Sequence, residues 1–233
     1  MTAPHPLDNP VRSSLTGPHA RFAERRGNVL RYPVDVSPFL ALPDQPGAAD
    51  WADAAALAGP GALVALAGVR VPAPDGWQVT PIGEGVQMVE VEVEVEAAAG
   101  GEAVRLGPDD VPEMLELARR TKPGPFLPRT VELGSYLGIR RGGALVAMAG
   151  ERLHPPGWTE ISAVCTDDAW RGLGFASVLV RALVAGIRAR GETAFLHAVA
   201  DNPAIGLYEA LGFRLRRGMV FSVARVPADH PVG

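Results

Sequence analysis

The sequence predicts an α/β protein, with a central sheet flanked by helices. Three observations carry that prediction. Strand-type and helix-type segments alternate from residue 102 onward. The stretch 172–190 sets Phe175, Val178, Leu179, Ala182, Leu183 and Ile187 on one face at helical spacing. QMVEVEVEVEA at 87–97 alternates valine with glutamate, the period-two pattern of a half-buried strand. With 47% hydrophobic and 21% charged residues, the chain can bury a core.

Before residue 100 the elements read as short, and proline and glycine are frequent. Residues 14–25 read as a helix, 29–32 and 39–42 as extended pieces, 49–57 as a helix and 61–66 as an apolar strand. PAPDG at 72–76 is a turn cluster. In the valine–glutamate strand the valines are expected to face the core and the carboxylates water. The glutamates are either a solvated acidic face or a column that attracts a cationic substrate. AAAGGE at 97–102 reads as a linker, so two regions are expected: a smaller α/β region at 1–99 and a domain at 100–233.

Beyond the linker, 103–106 reads as a strand. Pro108, Asp109 and Asp110 open a helix through Arg120, with Val111, Leu115 and Ala118 at helical spacing. A shorter helix is expected over 126–133. Residues 137–140 and 144–152 flank Gly142-Gly143, a hairpin signal. Residues 160–166 read as a strand and 172–190 as a long helix. A strand at 193–200, a short helix at 204–211 and a last strand at 219–226 complete the order.

The totals exclude several classes. A net charge of −4, from 22 basic and 26 acidic residues, argues against nucleic acid and anionic membrane as partners. No apolar run is long enough to span a bilayer, and the N-terminal stretch has no apolar signal core. Cys165 is the only cysteine, so no internal disulfide is possible, which fits a reducing cytoplasm. The five histidines never pair at ligand spacing, so no metal site is expected.

The chemistry-bearing stretch is EISAVCTDDAWRGLGFA at 160–176: a strand, a tight loop and the start of a helix. A helix N-terminus has unpartnered N–H groups and a positive dipole end, so anions bind there. Gly172 and Gly174 let backbone approach a phosphate, and Arg171 can add a charge-assisted contact. Taken alone, these glycines serve equally well in a plain strand–helix turn. Position 177 is Ser, which breaks a Rossmann fingerprint, and no Gly-Lys-Ser/Thr follows, which excludes a P-loop. Downstream lies NPAIGLYEALGF at 202–213. Asn202 suits an N-cap, Pro203 a first helical position and Gly212 a helix stop. Tyr208 reads either as packing or as a functional phenol.

Arg-Gly-x-Gly-x-Ala, a strand, then Asn-Pro-Ala-Ile-x-Leu-Tyr-Glu-x-Leu-Gly-Phe together resemble the GNAT superfamily of acyl-CoA-dependent N-acetyltransferases. The resemblance is specific over 160–213 and looser over 103–226. VAMAGERL and EISAVCTDD also look like a branch of that superfamily whose N-terminal half is degenerate, so residues 1–99 read as a vestigial half of the same fold.

The resemblance implies a mixed, splayed sheet with acetyl-CoA in the opening. It implies that Arg171, Gly172, Leu173, Gly174, Phe175 and Ala176 take the pyrophosphate. Backbone of Val164, Cys165 and Thr166 would pair with the pantetheine arm, and an N–H at Val164 or a neighbour would stabilise the oxyanion. Tyr208 matches the general acid that protonates the departing thiolate, and Asn202 matches an asparagine that contacts the cofactor arm.

Two departures stand out. Asp201, not Asn202, has the family's spacing from Tyr208. Asp167-Asp168 replaces a His-Pro common in the family; these acids either cap the coming helix or weaken CoA binding. For the base that frees the amine, Glu160 is the first candidate, acting directly or through water; Glu151 and His197 follow. Mid-strand His197 reads more readily as a core histidine than as a base, and Cys165 as inert packing rather than an acyl carrier. In Glu160–Thr166, strict alternation sets Glu160, Ser162, Val164 and Thr166 on one face, and Ile161, Ala163 and Cys165 on the other.

The expected activity is direct acetyl transfer from acetyl-CoA to a primary amine in a ternary complex, without metal, by a monomer or homodimer. The acidic balance leans toward a cationic acceptor. Two rival readings are a catalytically silent acyl-CoA-binding module and a different nucleotide-binding α/β domain.

Overall fold

The alternating periodicities resolve into two sheets in a computed structural model that describes residues 5–67, 72–91 and 102–228. In chain order the elements are α1 (Pro10–Leu15), β1 (Glu24–Arg26), β2 (Val29–Arg31), β3 (Leu40–Ala41), α2 (Ala48–Ala58), β4 (Leu63–Ala67) and β5 (Gln78–Glu90). After the linker come β6 (Val104–Leu106), α3 (Val111–Thr121), β7 (Tyr136–Arg141), β8 (Ala144–Glu151), β9 (Trp158–Thr166), α4 (Phe175–Ala189), β10 (Thr193–Val199), α5 (Ile205–Ala210) and β11 (Phe213–Arg225). β1–β3 form a small antiparallel sheet. The large sheet has eight strands in the order β4-β11-β5-β10-β9-β8-β7-β6. Its pairs are antiparallel except β9 with β10, which run parallel.

Two strands from before residue 100 are members of this sheet. β5 sits between β10 and β11, and β4 forms the edge beyond β11. The expected boundary between 1–99 and 100–233 therefore separates stretches of sequence but does not divide the sheet. Backbone groups of β10 and β11 find their ladder partners on β5.

Helices cover both faces. Ala147 and Ala149 of β8 pack against α4 with Leu179, Leu183 and Ile187. Met148, between them, packs against α3 with Met114 and Leu117. Successive strand residues point to opposite faces, so α3 and α4 lie on opposite sides. The N-terminal segment shares the α3 side. Leu7, Val11, Leu15 and Tyr32 pack on Phe195, while Leu196 faces α4. Each fully buried aliphatic side chain here contributes about 1.5–3 kcal/mol.

Several expectations are corrected by local chemistry. Residues 14–25 are not a helix. Gly17-Pro18 stops α1, a 3-10 turn follows over Ala20–Phe22, and β1 begins at Glu24. Over 126–133 only a 3-10 turn at Thr130–Leu133 forms, since Pro125 and Pro128 prevent an earlier start. The buried face of α3 is Met114, Leu117 and Ala118, one step round from Val111 and Leu115. β11 begins at Phe213, earlier than expected.

The valine–glutamate stretch also departs from its pattern. β5 ends at Glu90, and residues 92–101 lie outside the described residues. Glu90 is buried and ion-paired with Arg188, and it accepts a hydrogen bond from the Ala194 N–H at 3.3 Å. A central strand has no solvent face, so this carboxylate is paired rather than wet.

Candidate active site

The site starts at the one parallel pair. β9 and β10 pair from Trp158↔Thr193 to Ile161↔Leu196, and their ladder ends there. Beyond it the strands diverge. On its other edge β9 carries a bulge: Cys165 opposes Met148 and Ser162 opposes Gly150, so Ala163 and Val164 together oppose Ala149. Ala163 sits at φ 53°, unusual for a residue with a side chain. The bulge reverses the expected alternation. Ile161 faces α4, but Ala163 and Cys165 turn to the α3 side, and Val164 joins Ile161. Val164 is thereby delivered to the floor of the opening.

β9 runs into the glycine loop. The helix expected from 172 begins only at Phe175, because Gly172 and Gly174 hold left-handed φ of 79° and 77°. A Cβ added at either glycine would meet nothing within 4 Å, so the space above the loop is open. Asp167 accepts from the Ala169 N–H at 3.1 Å, capping the short turn Asp168–Trp170, and pairs with Arg120 at 2.8 Å. Asp168 pairs with Arg171 at 2.7 Å, and both are well exposed. One acid thus caps the turn before the helix, and the other competes for the loop's arginine.

Tyr208 comes from α5. It packs edge-on against Phe213, with centroids 6.2 Å apart, and is 7% exposed. Its hydroxyl has no hydrogen-bond partner among the described residues. Burial, with the nearby Cys165, pushes the phenol up to about 12. Asn202 does not cap α5 directly. Its Oδ1 accepts from the Ala204 N–H at 2.8 Å, and the helix begins at Ile205. Pro203 follows at once and favours this turn.

The structure brings most of the expected residues together. Val164, Cys165, Thr166, the loop 171–176, Asn202 and Tyr208 line one groove of about 450 Å³. A second cavity of about 340 Å³ adjoins it and shares Val164, Asn202, Tyr208, Lys122 and Pro123. Burial pushes the Cys165 thiol up to about 11, so it remains a thiol at neutral pH.

Glu160 is the exception. It is fully buried and lines neither space. Arg152 donates to it from Nε and Nη2 at 2.9 and 2.6 Å, and His197 Nδ1 lies 2.7 Å from Oε1. Burial pushes the carboxyl up, but Arg152 and then His197 outweigh it and hold the group at about 2. A carboxylate so placed is a poor proton acceptor; its work is to orient Arg152 and His197. His197 Nε2 lies 3.0 Å from Gln87 Nε2, which also donates to the Leu7 carbonyl at 2.9 Å. An amide nitrogen only donates, so Nε2 accepts and the His197 proton sits on Nδ1. Glu151 is buried elsewhere, paired with Arg190 at 2.9 Å.

The sequence reading missed the walls of the second cavity. Phe39, Leu66, Ile82 and Phe221 supply apolar surface, and Arg152 and Lys122 supply charge. These residues are scattered from 39 to 221 and carry no shared spacing. The one signal available was Lys122, the only lysine in the sequence.

Comparison with known proteins matches this architecture. A family model described as FR47-like protein matches residues 136–222. The chain is similar to a GNAT-family protein of Novosphingobium aromaticivorans DSM 12444, with 39% identity, a TM-score of 0.86, and coverage of 95% of this chain and 98% of that one. It shares its fold with a GCN5-related N-acetyltransferase from Kribbella flavida, at 17% identity, a TM-score of 0.59, and coverage of 96% and 97%. No curated protein matches the chain.

Proposed function

The chain belongs to the GNAT family, and we propose that it is an acetyl-CoA-dependent N-acetyltransferase that moves an acetyl group directly to a primary amine, both substrates being bound at once. One observation carries the reading: the groove lined by the glycine loop and the second cavity meet at Val164, Asn202 and Tyr208. A donor in the first and an acceptor in the second would react at that junction.

The residues fit acetyl-CoA, which is consumed as a co-substrate. The open space above Gly172 and Gly174, with loop N–H groups and Arg171, suits a pyrophosphate. The edge of β9 beyond Ile161, unpaired with β10, suits an extended amide-bearing arm. Backbone N–H groups at the bulge are candidates to hold the carbonyl oxygen as it gains charge.

Tyr208 stays protonated at neutral pH and offers its proton to the departing sulfur. Cys165, held as a buried thiol, is poorly suited to carry the acyl group, which favours direct transfer. No residue lining the acceptor cavity is acidic, and His197, which does line it, has Nε2 engaged by Gln87 and Nδ1 by Glu160, so the amine sheds its proton to solvent before it attacks. Glu160 is a positioning residue in this scheme.

The test is thiol release from acetyl-CoA across a panel of primary amines. Turnover that Tyr208→Phe abolishes without weakening CoA binding is the expected result. Tight CoA binding with no turnover on any amine would instead make the protein a silent acyl-CoA-binding module.

A further inference from the structure

The acceptor cavity has a charge of its own that the composition conceals. Its lining holds two cationic side chains, Arg152 and Lys122, and no carboxylate. Arg152 is pinned: Glu160 takes its Nε and Nη2, leaving Nη1 as the nitrogen outside that pair. Its guanidinium also lies over Phe39, 5.1 Å from the ring centroid. Lys122 ends α3 in a left-handed conformation at φ 50°. Among the described residues its ammonium has no hydrogen-bond or ion-pair partner.

The formal charges of this lining are simple. Arg152 and Glu160 cancel, and Lys122 leaves one net positive charge. The remaining walls are largely apolar: Phe39, Leu66, Ile82, Ile161 and Phe221. A polyamine or another cationic acceptor would enter against that charge without a single acidic partner. An amine that also carries one carboxylate, on an apolar body, matches both the charge and the walls.

We propose that the acceptor is an amino-acid-like molecule: a primary amine with one carboxylate and an apolar side chain. The amine lies toward Tyr208 and Val164, and Arg152 Nη1 and Lys122 read the carboxylate. Glu160 fixes the Arg152 fork so that one nitrogen remains for the substrate. This inference rests on the acetyl-transfer reading and reverses the cationic acceptor suggested by the overall acidity. The glutamates that supported that suggestion lie outside the described residues or, like Glu90, are buried and paired.

The experiment compares leucine, leucinamide and isopentylamine, and phenylalanine with its two counterparts, by thiol release from acetyl-CoA. The free acids are expected to exceed the amides and the decarboxylated amines in kcat/KM by about tenfold or more, as for a charge-assisted contact. Lys122→Met should shrink that ratio; because Lys122 also lines the glycine-loop groove, the ratio is measured at saturating acetyl-CoA. Arg152→Lys, which keeps the charge beside Glu160, should shrink it further, with a thermal melt as the check on folding. Amides or decarboxylated amines that react as well as the acids overturn the inference and leave acetyl transfer standing. If none reacts although CoA binds, acetyl transfer fails, and calorimetry on the CoA-loaded protein decides the inference alone. Equal binding of leucine and leucinamide then overturns it; preference for leucine that Lys122→Met removes supports it.

Discussion

The groove proposed for the donor and the cavity proposed for the acceptor share a junction but are built in opposite ways. The groove comes from two short stretches, 164–177 and 202–208, with a contribution from the end of α3. The cavity is assembled from residues between 39 and 222, and Phe39, Ala65, Leu66, Ile82 and Gly83 from before residue 100 supply part of its wall. A backbone cradle for a fixed ligand needs only local sequence. A pocket for a particular acceptor needs surfaces from many elements. The contrast explains why the first can be read along the chain and the second cannot.

The largest expected effect lies at the junction. Tyr208→Phe should lower kcat by about 10²–10⁴-fold, the usual weight of a general acid, with the acetyl-CoA Kd nearly unchanged. A Kd that rises as much as kcat falls would move Tyr208 into the groove's packing and blur the division between the two regions.

Glu160→Gln should act on the cavity wall instead. It leaves the Arg152 charge buried with a neutral partner, and breaking such a pair costs about 3–5 kcal/mol. A clear drop in Tm with the pH–rate profile keeping its shape is expected. A profile that loses a limb would restore Glu160 as the base.

Arg171→Glu tests the groove alone. It should raise the acetyl-CoA Kd by about 10–100-fold and leave the acceptor KM unchanged. An unchanged Kd would show that Asp168, already 2.7 Å from Arg171, neutralises it in the complex as well.

Without an internal base, kcat/KM for the amine should rise about tenfold per pH unit up to the amine's own pKa, about 8–10. A plateau near pH 6 would reveal a proton acceptor in the cavity.

The smallest effect concerns the N-terminal cover. His19 lies 2.9 Å from the Tyr32 hydroxyl and 3.0 Å from the Leu133 carbonyl. Burial, then the nearby His154, pushes it down to about 3 from 6.5. The unfolded chain therefore takes the proton first. Stability present above about pH 6.5 should fall progressively as the pH drops toward 3. Denaturant midpoints at pH 7 and pH 5 measure this, and His19→Gln should flatten the difference.

The glycine loop was legible because its shape depends on backbone conformation. Gly172 and Gly174 mark the left-handed turns directly, and NPAIGLYEALGF supplies the second wall within one strand and helix. The bulge at Ala163 left no mark, since alanine has no preference for φ 53° and nothing in EISAVCT distinguishes a bulged strand from a regular one. That one residue reversed the faces assigned to Val164 and Cys165. Glu160 looked available because a carboxylate near a strand start is usually solvated. Its partners Arg152 and His197 lie far enough along the chain that only the fold joins them.

By itself the sequence determined the α/β class, the order of strands and helices from residue 102 onward apart from the helix expected at 126–133, and the residues that come together in the glycine-loop groove. Periodicity, glycine conformation and helix-end chemistry are local properties, and they are written residue by residue. Only the tertiary structure decided that β5 enters the sheet between β10 and β11, that Glu160 is buried and paired with Arg152, and that the second cavity is largely apolar and carries cationic side chains. Those outcomes depend on which surfaces distant segments bury against one another. Burial and pairing reset the charge and reach of each side chain after the chain has closed.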